Sequence, residues 1–347
     1  MNPLKFFSCS CLLLLFIACG GSNDPSKLFK IHLEGKGSEY QVHQKVKVTL
    51  ENRKEKTIGE VSYYIDGEAL PFSDNTLTLD VAKLGDKKLV AKVAVEGNSV
   101  EIEKNIRILA EEPPTVYTYE IINEFPHDKG AFTQGLEFHE DTLYESTGKR
   151  GASSVRKVEF TTGKILQQID LESKYFGEGI TLLNNKLYQL TWQGGTGFVY
   201  DVPDLKRNGS FKYGQSKEGW GLCNNGKHIY KSDGTEKIWL LNPETLIEEG
   251  FIQTVTNTSI FNKANELEFV DDKIYANVWL KESMMIINSR SGAIEGVVNF
   301  GGLKDHVTKH PELDVLNGVA YHPGRKTFFV TGKYWDKLFE VRIKPKE

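Results

Sequence analysis

Gln134-Gly135-Leu136-Glu137-Phe138 is the first of five copies of one short phrase. The others are Glu178-Gly179-Ile180-Thr181-Leu182, Trp220-Gly221-Leu222-Cys223-Asn224, Asn265-Glu266-Leu267-Glu268-Phe269 and Asn317-Gly318-Val319-Ala320-Tyr321. The anchoring apolar residues sit at 136, 180, 222, 267 and 319, in steps of 44, 42, 45 and 52 residues. A period in the forties built from short β-type runs marks the blades of a propeller. The residue that opens each phrase then occupies one equivalent place per blade. Gln134, Glu178, Trp220, Asn265 and Asn317 are expected to ring the axis.

Working outward, each repeat has an internal grammar. In the fourth, Leu267 to Val270, Ile274 to Trp279, Met284 to Asn288 and Ala293 to Phe300 read as four strands. Turns at Asp271-Asp272-Lys273 and Ser289-Arg290-Ser291-Gly292 separate them, giving a propeller-type meander. The fifth repeat stops at three strands, and the unassigned run Tyr117 to Ile122 supplies its fourth. Closing the ring with one strand from each end removes open sheet edges. The sequence therefore predicts an all-β fold with a five-bladed β-propeller over 115–347.

A second ring follows from the spacing. Strand two begins seven residues after the anchor in four repeats and nine in the fifth, where His322 to Lys326 lengthens the turn. Its end carries Gly148, Trp192, Gly234, Trp279 and Lys333. Residues before strand one and after strand two share one mouth of a propeller, so both rings border one funnel. Three of the chain's five Trp (Trp192, Trp220 and Trp279) fall there. Such a mouth is an apolar cage with few directed polar groups, suited to a small amide or ammonium-bearing ligand. A lone carboxylate among indoles has its pKa raised by desolvation, which favours proton transfer near neutrality. With one carboxylate in the first ring, a two-carboxylate glycosidase is poorly supported, and without His or Cys in the rings so are nucleophilic triads.

The remainder of the chain frames this unit. Lys5, the apolar run Cys11 to Ala18 and the small residues after it describe a signal peptide over 1–18. Phe16-Ile17-Ala18-Cys19 resembles a lipobox, which makes Cys19 the lipidated first residue of an exported lipoprotein held at the bacterial cell envelope. Residues 19–28 read as a tether. Strand runs at 45–50, 61–65, 76–79 and 89–95 over residues 29–110 predict a small immunoglobulin-like β-sandwich, a spacer or docking module. Glu111-Glu112-Pro113-Pro114 punctuates the boundary. A formal charge of −4 gives no basic excess for nucleic acid. Cys223, expected in an inner strand, reads as buried and inert. Trp239 and Trp335 read as packing between blades, Asp233 as a turn former, and His306 and His310 as part of a polar connector.

Phe132-Thr133-Gln134-Gly135-Leu136, Glu145-Ser146-Thr147-Gly148, Ser153-Ser154-Val155-Arg156 and Tyr175-Phe176-Gly177-Glu178-Gly179-Ile180-Thr181 carry a resemblance. So do Leu187-Tyr188-Gln189, Gly219-Trp220-Gly221-Leu222, Ser232-Asp233-Gly234-Thr235, Asn265-Glu266-Leu267-Glu268, Val315-Leu316-Asn317-Gly318-Val319-Ala320 and Val330-Thr331-Gly332-Lys333. In order and in register, from about Phe132 to Phe339, they resemble the plant and bacterial type of glutaminyl-peptide cyclotransferase. The resemblance implies a five-bladed propeller that converts N-terminal glutamine of peptides to pyroglutamate and releases ammonia. It implies Glu178 as the carboxylate that carries the proton, Gln134, Asn265 and Lys333 as groups that bind and polarise the substrate, and Trp192, Trp220 and Trp279 as an aromatic cage with Phe176 beside the acid. No cofactor is required for that chemistry, and a structural divalent cation in the propeller channel is compatible with it. The expected partners are peptides or proteins with N-terminal glutamine, acted on by a monomer whose only tie to the membrane is its lipid. Two other readings stand beside this one. One is a lactonase-like hydrolase with Glu178, Asn265 and Asn317 around an axial Ca²⁺. The other is a non-catalytic peptide-binding propeller.

Overall fold

In the computed structural model, residues 25–35 and 37–346 are described. The expected signal peptide, Cys19 and the first part of the tether lie outside the described residues. Among the described residues no helix is long and apolar enough to cross a membrane.

Four antiparallel four-stranded meanders follow one another over 133–170, 177–212, 222–253 and 264–299. The fifth comprises Leu316–His322, Thr327–Gly332 and Lys337–Pro345, and the strand Thr115–Pro126 completes it by pairing antiparallel with the last. The expected closure by both ends of the propeller segment is therefore present. It goes one step further than expected, because Thr115 to Tyr117 also pair parallel with Gly296 to Val298 of blade four. Blades four and five thus form one eight-stranded sheet, and the outer edge of blade four is covered.

The innermost strands approach at backbone distance because of the second residue of each phrase. A Cβ on Gly135 would lie 2.6 Å from Ile180 N, one on Gly179 2.6 Å from Gly221 Cα, and one on Gly221 2.0 Å from Asn265 O. Blade four alone carries a large side chain there. Glu266 is buried, and its carboxylate accepts the backbone N–H of Leu136 (3.2 Å) and of Val319 (2.8 Å), tying blade four to blades one and five. Glu137 accepts from Leu182 N (3.0 Å) and Glu268 from Tyr321 N (3.0 Å), so three carboxylates brace neighbouring inner strands.

Between blades the packing is aromatic and aliphatic. Phe138 meets Phe160 and Phe329 at 5.4 and 4.8 Å between ring centroids, and Tyr230 stacks on Phe269 at 5.7 Å. Trp239 and Trp335 are buried in apolar clusters that span blades two and three and blades four and five, as expected for packing between blades. Asp233 accepts the indole N–H of Trp239 (2.8 Å) and the backbone N–H of Thr235 (3.1 Å), which makes it a brace for its own turn. His310 donates to the carbonyl of Tyr334 (2.8 Å) whereas His306 faces Glu124 (3.4 Å), so the two histidines serve separate contacts in a connector. Cys223 is a buried free thiol whose pKa burial pushes well up.

N-terminal to the propeller, a four-stranded and a five-stranded sheet enclose a separate apolar core that includes Phe29, Val48, Tyr63, Leu77 and Ile108. Its longest feature is the hairpin Gly85–Val95 with Asn98–Leu109; the second of these strands went unread because its alternation is interrupted by charged residues on both faces. Pro25–Leu28 is a helical turn, and Leu28 packs on that core, so the end of the expected tether is structured. The unit docks on the propeller through Leu84 N to Ser291 O (2.9 Å), Ala110 N to Thr256 O (3.1 Å) and Val255, which joins the N-terminal core.

Candidate active site

Both predicted rings meet at one mouth. In four blades the first-ring residue sits where strand pairing slips, between Thr133 and Gly135, Gly177 and Ile180, Ala264 and Leu267, and Leu316 and Val319. A bulge re-aims the side chain it contains. Here it turns Gln134, Glu178, Asn265 and Asn317 toward one another. The Asn265 amide donates to Asn317 Oδ1 (2.8 Å), Asn317 Nδ2 donates to Gln134 Oε1 (3.1 Å), and Gln134 Nε2 donates to Glu178 Oε1 (2.9 Å). A second Asn317 bond to Thr133 O (2.9 Å) fixes the direction of the chain. Four blades thus contribute one directed line of hydrogen bonds that ends on the carboxylate.

Glu178 is 4% exposed. Burial pushes its pKa well above the ordinary carboxylate range, the Lys333 ammonium and the Gln134 amide pull it down, and the charge of Glu218 pushes it further up. Among the described residues no protein donor reaches its Oε2, nor Asn265 Oδ1, so both remain for a ligand. Lys333 is buried beside this carboxylate, its ammonium 4.6 Å from the centre of the Phe132 ring. Desolvation lowers its pKa, which Glu178 partly restores. Asn265, Asn317 and Gln134 are joined through the amide oxygens of Asn317 and Gln134. Among the described residues no three His, Cys, Asp or Glu side chains are placed to hold a metal ion.

The second ring builds the walls. Phe176 meets Trp192 at 5.7 Å and Phe132 at 5.9 Å, and Trp220 meets Trp279 at 5.7 Å, all edge to face. Gly148 and Gly234 are the places where these rings lie. A Cβ at Gly148 would sit 2.3 Å from Phe176 Cε1, and one at Gly234 2.5 Å from Trp220 Cζ2. The glycines in this ring are therefore steric: Gly148 of blade one admits Phe176 from the start of blade two, and Gly234 admits Trp220 of its own blade. Trp279, 37% exposed, forms the outer rim.

Sequence reasoning missed three members of this mouth. Phe132 lies under Lys333, and Lys149 caps the same ring at 4.0 Å. Phe132 stands within a motif quoted for the resemblance, two residues before Gln134, and that position was the available signal. Glu218 receives the indole N–H of both Trp192 (2.8 Å) and Trp220 (2.9 Å). It stands two residues before Trp220, the place that Phe132 and Phe176 hold before Gln134 and Glu178, and that shared position was the available signal.

One buried carboxylate, one buried ammonium and an indole cage meet at one mouth of the propeller. The comparisons agree on the family. Residues 89–343 match the family model for glutamine cyclotransferase. The chain is 40% identical over 229 residues to a glutaminyl-peptide cyclotransferase of Arabidopsis thaliana, covering 65% of this chain and 71% of that one. It is 33% identical, with a TM-score of 0.63, to the crystal structure of Myxococcus xanthus glutaminyl cyclase, over 67% of this chain and 100% of that one. The chain belongs to the glutamine cyclotransferase family. The matched region begins at Leu89, inside the long N-terminal hairpin and well before Phe132.

Proposed function

We propose that this chain cyclises N-terminal glutamine of peptides to pyroglutamate, with Glu178 carrying the proton. The observation that supports the role most strongly is the free oxygen of a buried carboxylate that is held on its other oxygen by Gln134. The α-amine and γ-carboxamide belong to one molecule, so holding the glutamine folded in the cage supplies most of the proximity effect. The α-nitrogen attacks the amide carbon, forming the ring C–N bond, and its proton passes to Glu178. The tetrahedral oxyanion is stabilised by Lys333. Glu178 then returns the proton to the departing nitrogen, the second C–N bond breaks, and ammonia leaves. Asn265 Oδ1 accepts from the α-nitrogen, while Phe176, Trp192, Trp220 and Trp279 enclose the aliphatic chain and exclude water.

The test is incubation with a Gln-initiated peptide, with ammonia release and the accompanying mass loss followed with and without EDTA. Ammonia production that survives the chelator supports the metal-free scheme. Loss of ammonia release restored by Ca²⁺ overturns the metal-free scheme, and binding without ammonia points to a non-catalytic propeller.

The setting of the enzyme is part of the same reading. Cys19 is acylated, the mature protein is a monomer tethered to the bacterial envelope, and the two-sheet unit is an immunoglobulin-like spacer that holds the mouth away from the membrane. Replacement of Cys19 by Ala should release the protein from the membrane fraction and abolish labelling by a radioactive fatty acid.

A further inference from the structure

We infer that Glu218 is a positioning residue for the cyclisation: its carboxylate brackets the indoles of Trp192 and Trp220 and so sets the width of the cage over Glu178. The inference rests on the functional reading above. Two observations carry it. Oε2 of Glu218 accepts from Trp192 Nε1 at 2.8 Å and from Trp220 Nε1 at 2.9 Å, and Oε1 accepts from Gln193 Nε2 at 3.1 Å. One carboxylate therefore joins the walls contributed by blades two and three, which the β ladders do not connect. Indole N–H groups are donors only, so a negative acceptor between them gives charge-assisted bonds to both.

The second observation is how firmly the loop carrying Glu218 is held. Glu248 accepts the backbone N–H of Gln215 (2.6 Å) and Ser216 (3.1 Å) together with the Ser216 hydroxyl. Lys231, fully buried, pairs with Glu248 at 3.4 Å and donates to Ser216 Oγ. Tyr213, at the start of the loop, donates to Thr191 O (2.8 Å) and accepts from Thr191 N (2.8 Å) on the strand that leads into Trp192. A buried ion pair is a costly way to anchor a surface loop. Here it fixes the one side chain on which two cage indoles depend. The same charge also acts on Glu178, favouring its protonated form.

Glu218→Leu and Glu218→Gln separate these effects. In a two-dimensional ¹H–¹⁵N spectrum the indole resonances of Trp192 and Trp220, assigned with Trp→Phe variants, should shift upfield in Glu218→Leu and by less in Glu218→Gln. With a Gln-initiated peptide, KM should rise about tenfold in Glu218→Leu, the scale of a lost charged hydrogen bond. Glu218→Gln keeps an oxygen acceptor but loses the charge, so the acid limb of its kcat/KM profile should move to lower pH. Glu218→Asp should recover part of the KM loss. A bystander on a structural loop would move neither the resonances nor the acid limb. Unshifted indole resonances in Glu218→Leu, or an unmoved acid limb in Glu218→Gln, would overturn the inference. Should Glu218→Leu not fold, the nearly isosteric Glu218→Gln still decides through both readouts. If the wild-type protein forms no ammonia, the functional reading fails, and the indole resonances alone then decide whether the bracket exists.

Discussion

Two sets of buried carboxylates lie along the axis of this propeller, and they have different fates. Glu266 and Glu268 are met at both oxygens by backbone N–H groups, and Glu137 accepts from Leu182 N of the next blade. Glu178, at the mouth, is held by one side-chain amide and keeps one oxygen free. Burial raises the pKa of all four. Desolvation alone therefore does not distinguish a catalytic acid from a structural brace. What distinguishes Glu178 is an unclaimed oxygen facing a cage, with an ammonium beside it.

The sharpest way to break this contrast is to neutralise one member of each set. Glu178→Gln should lower kcat by about 10³-fold with the fold intact, the scale of lost general acid–base catalysis. Glu137→Gln should leave kcat within about threefold, because it lies outside the reacting groups. Steady-state kinetics beside circular dichroism measures both. Comparable losses in the two variants would collapse the distinction.

Next in size is the bracing role. Glu266→Ala leaves Leu136 N and Val319 N without their acceptor, and each unsatisfied buried group costs about 1–3 kcal/mol. Urea denaturation should show a loss of about 2–6 kcal/mol on that basis. An unchanged midpoint would mean that the blades do not depend on the bridge.

The walls give a smaller effect. Gly148→Ala places a methyl 2.3 Å from Phe176 Cε1 and must displace that ring. Overpacking of this kind costs about 1–3 kcal/mol of stability, and KM should rise by about tenfold as the ring shifts. Gly209→Ala, where a Cβ makes only ordinary contact with Val199 Cβ at 3.5 Å, is the matched control for the cage contact.

The last contrast is in pH. The pKa of Glu137 is pushed up to about 8 by burial, against an ordinary 4.5. Between those values the folded protein keeps a proton that the unfolded chain releases, so stability falls as pH rises through the window. Tm followed from about pH 5 to about pH 9 should decline, and Glu137→Gln should flatten the decline because it has no proton to lose. A wild-type slope of the opposite sign would mean that backbone donors outweigh burial at that site.

Much of this was legible in the chain. The repeat spacing placed all five blades, and the fifth, short by one strand, identified the strand that closes it. The opening residues of the phrases and the ends of strand two were legible as rings because equivalent positions in a repeat share an environment. Three things were not legible. The bulges that turn the first ring inward are a matter of register, which the apolar pattern does not encode at strand ends. Glu266 appeared in its phrase without a role, because only the close approach of glycine-bearing strands shows the space it fills. Glu218 shares its repeat position with Phe132 and Phe176, but its two indole partners are 26 and 2 residues away and no periodicity pairs them.

The sequence by itself determined the architecture and named the carboxylate, since a period in the forties fixes the blades and only one acid interrupts the first ring. Tertiary structure decided what that acid can do. Hydrogen bonds that pass from Asn265 through Asn317 and Gln134 to Glu178 cross four blades, and the walls of the cage are set by which glycine admits which ring. Those relations exist only once the strands close about the axis, because they join residues that no local periodicity brings together.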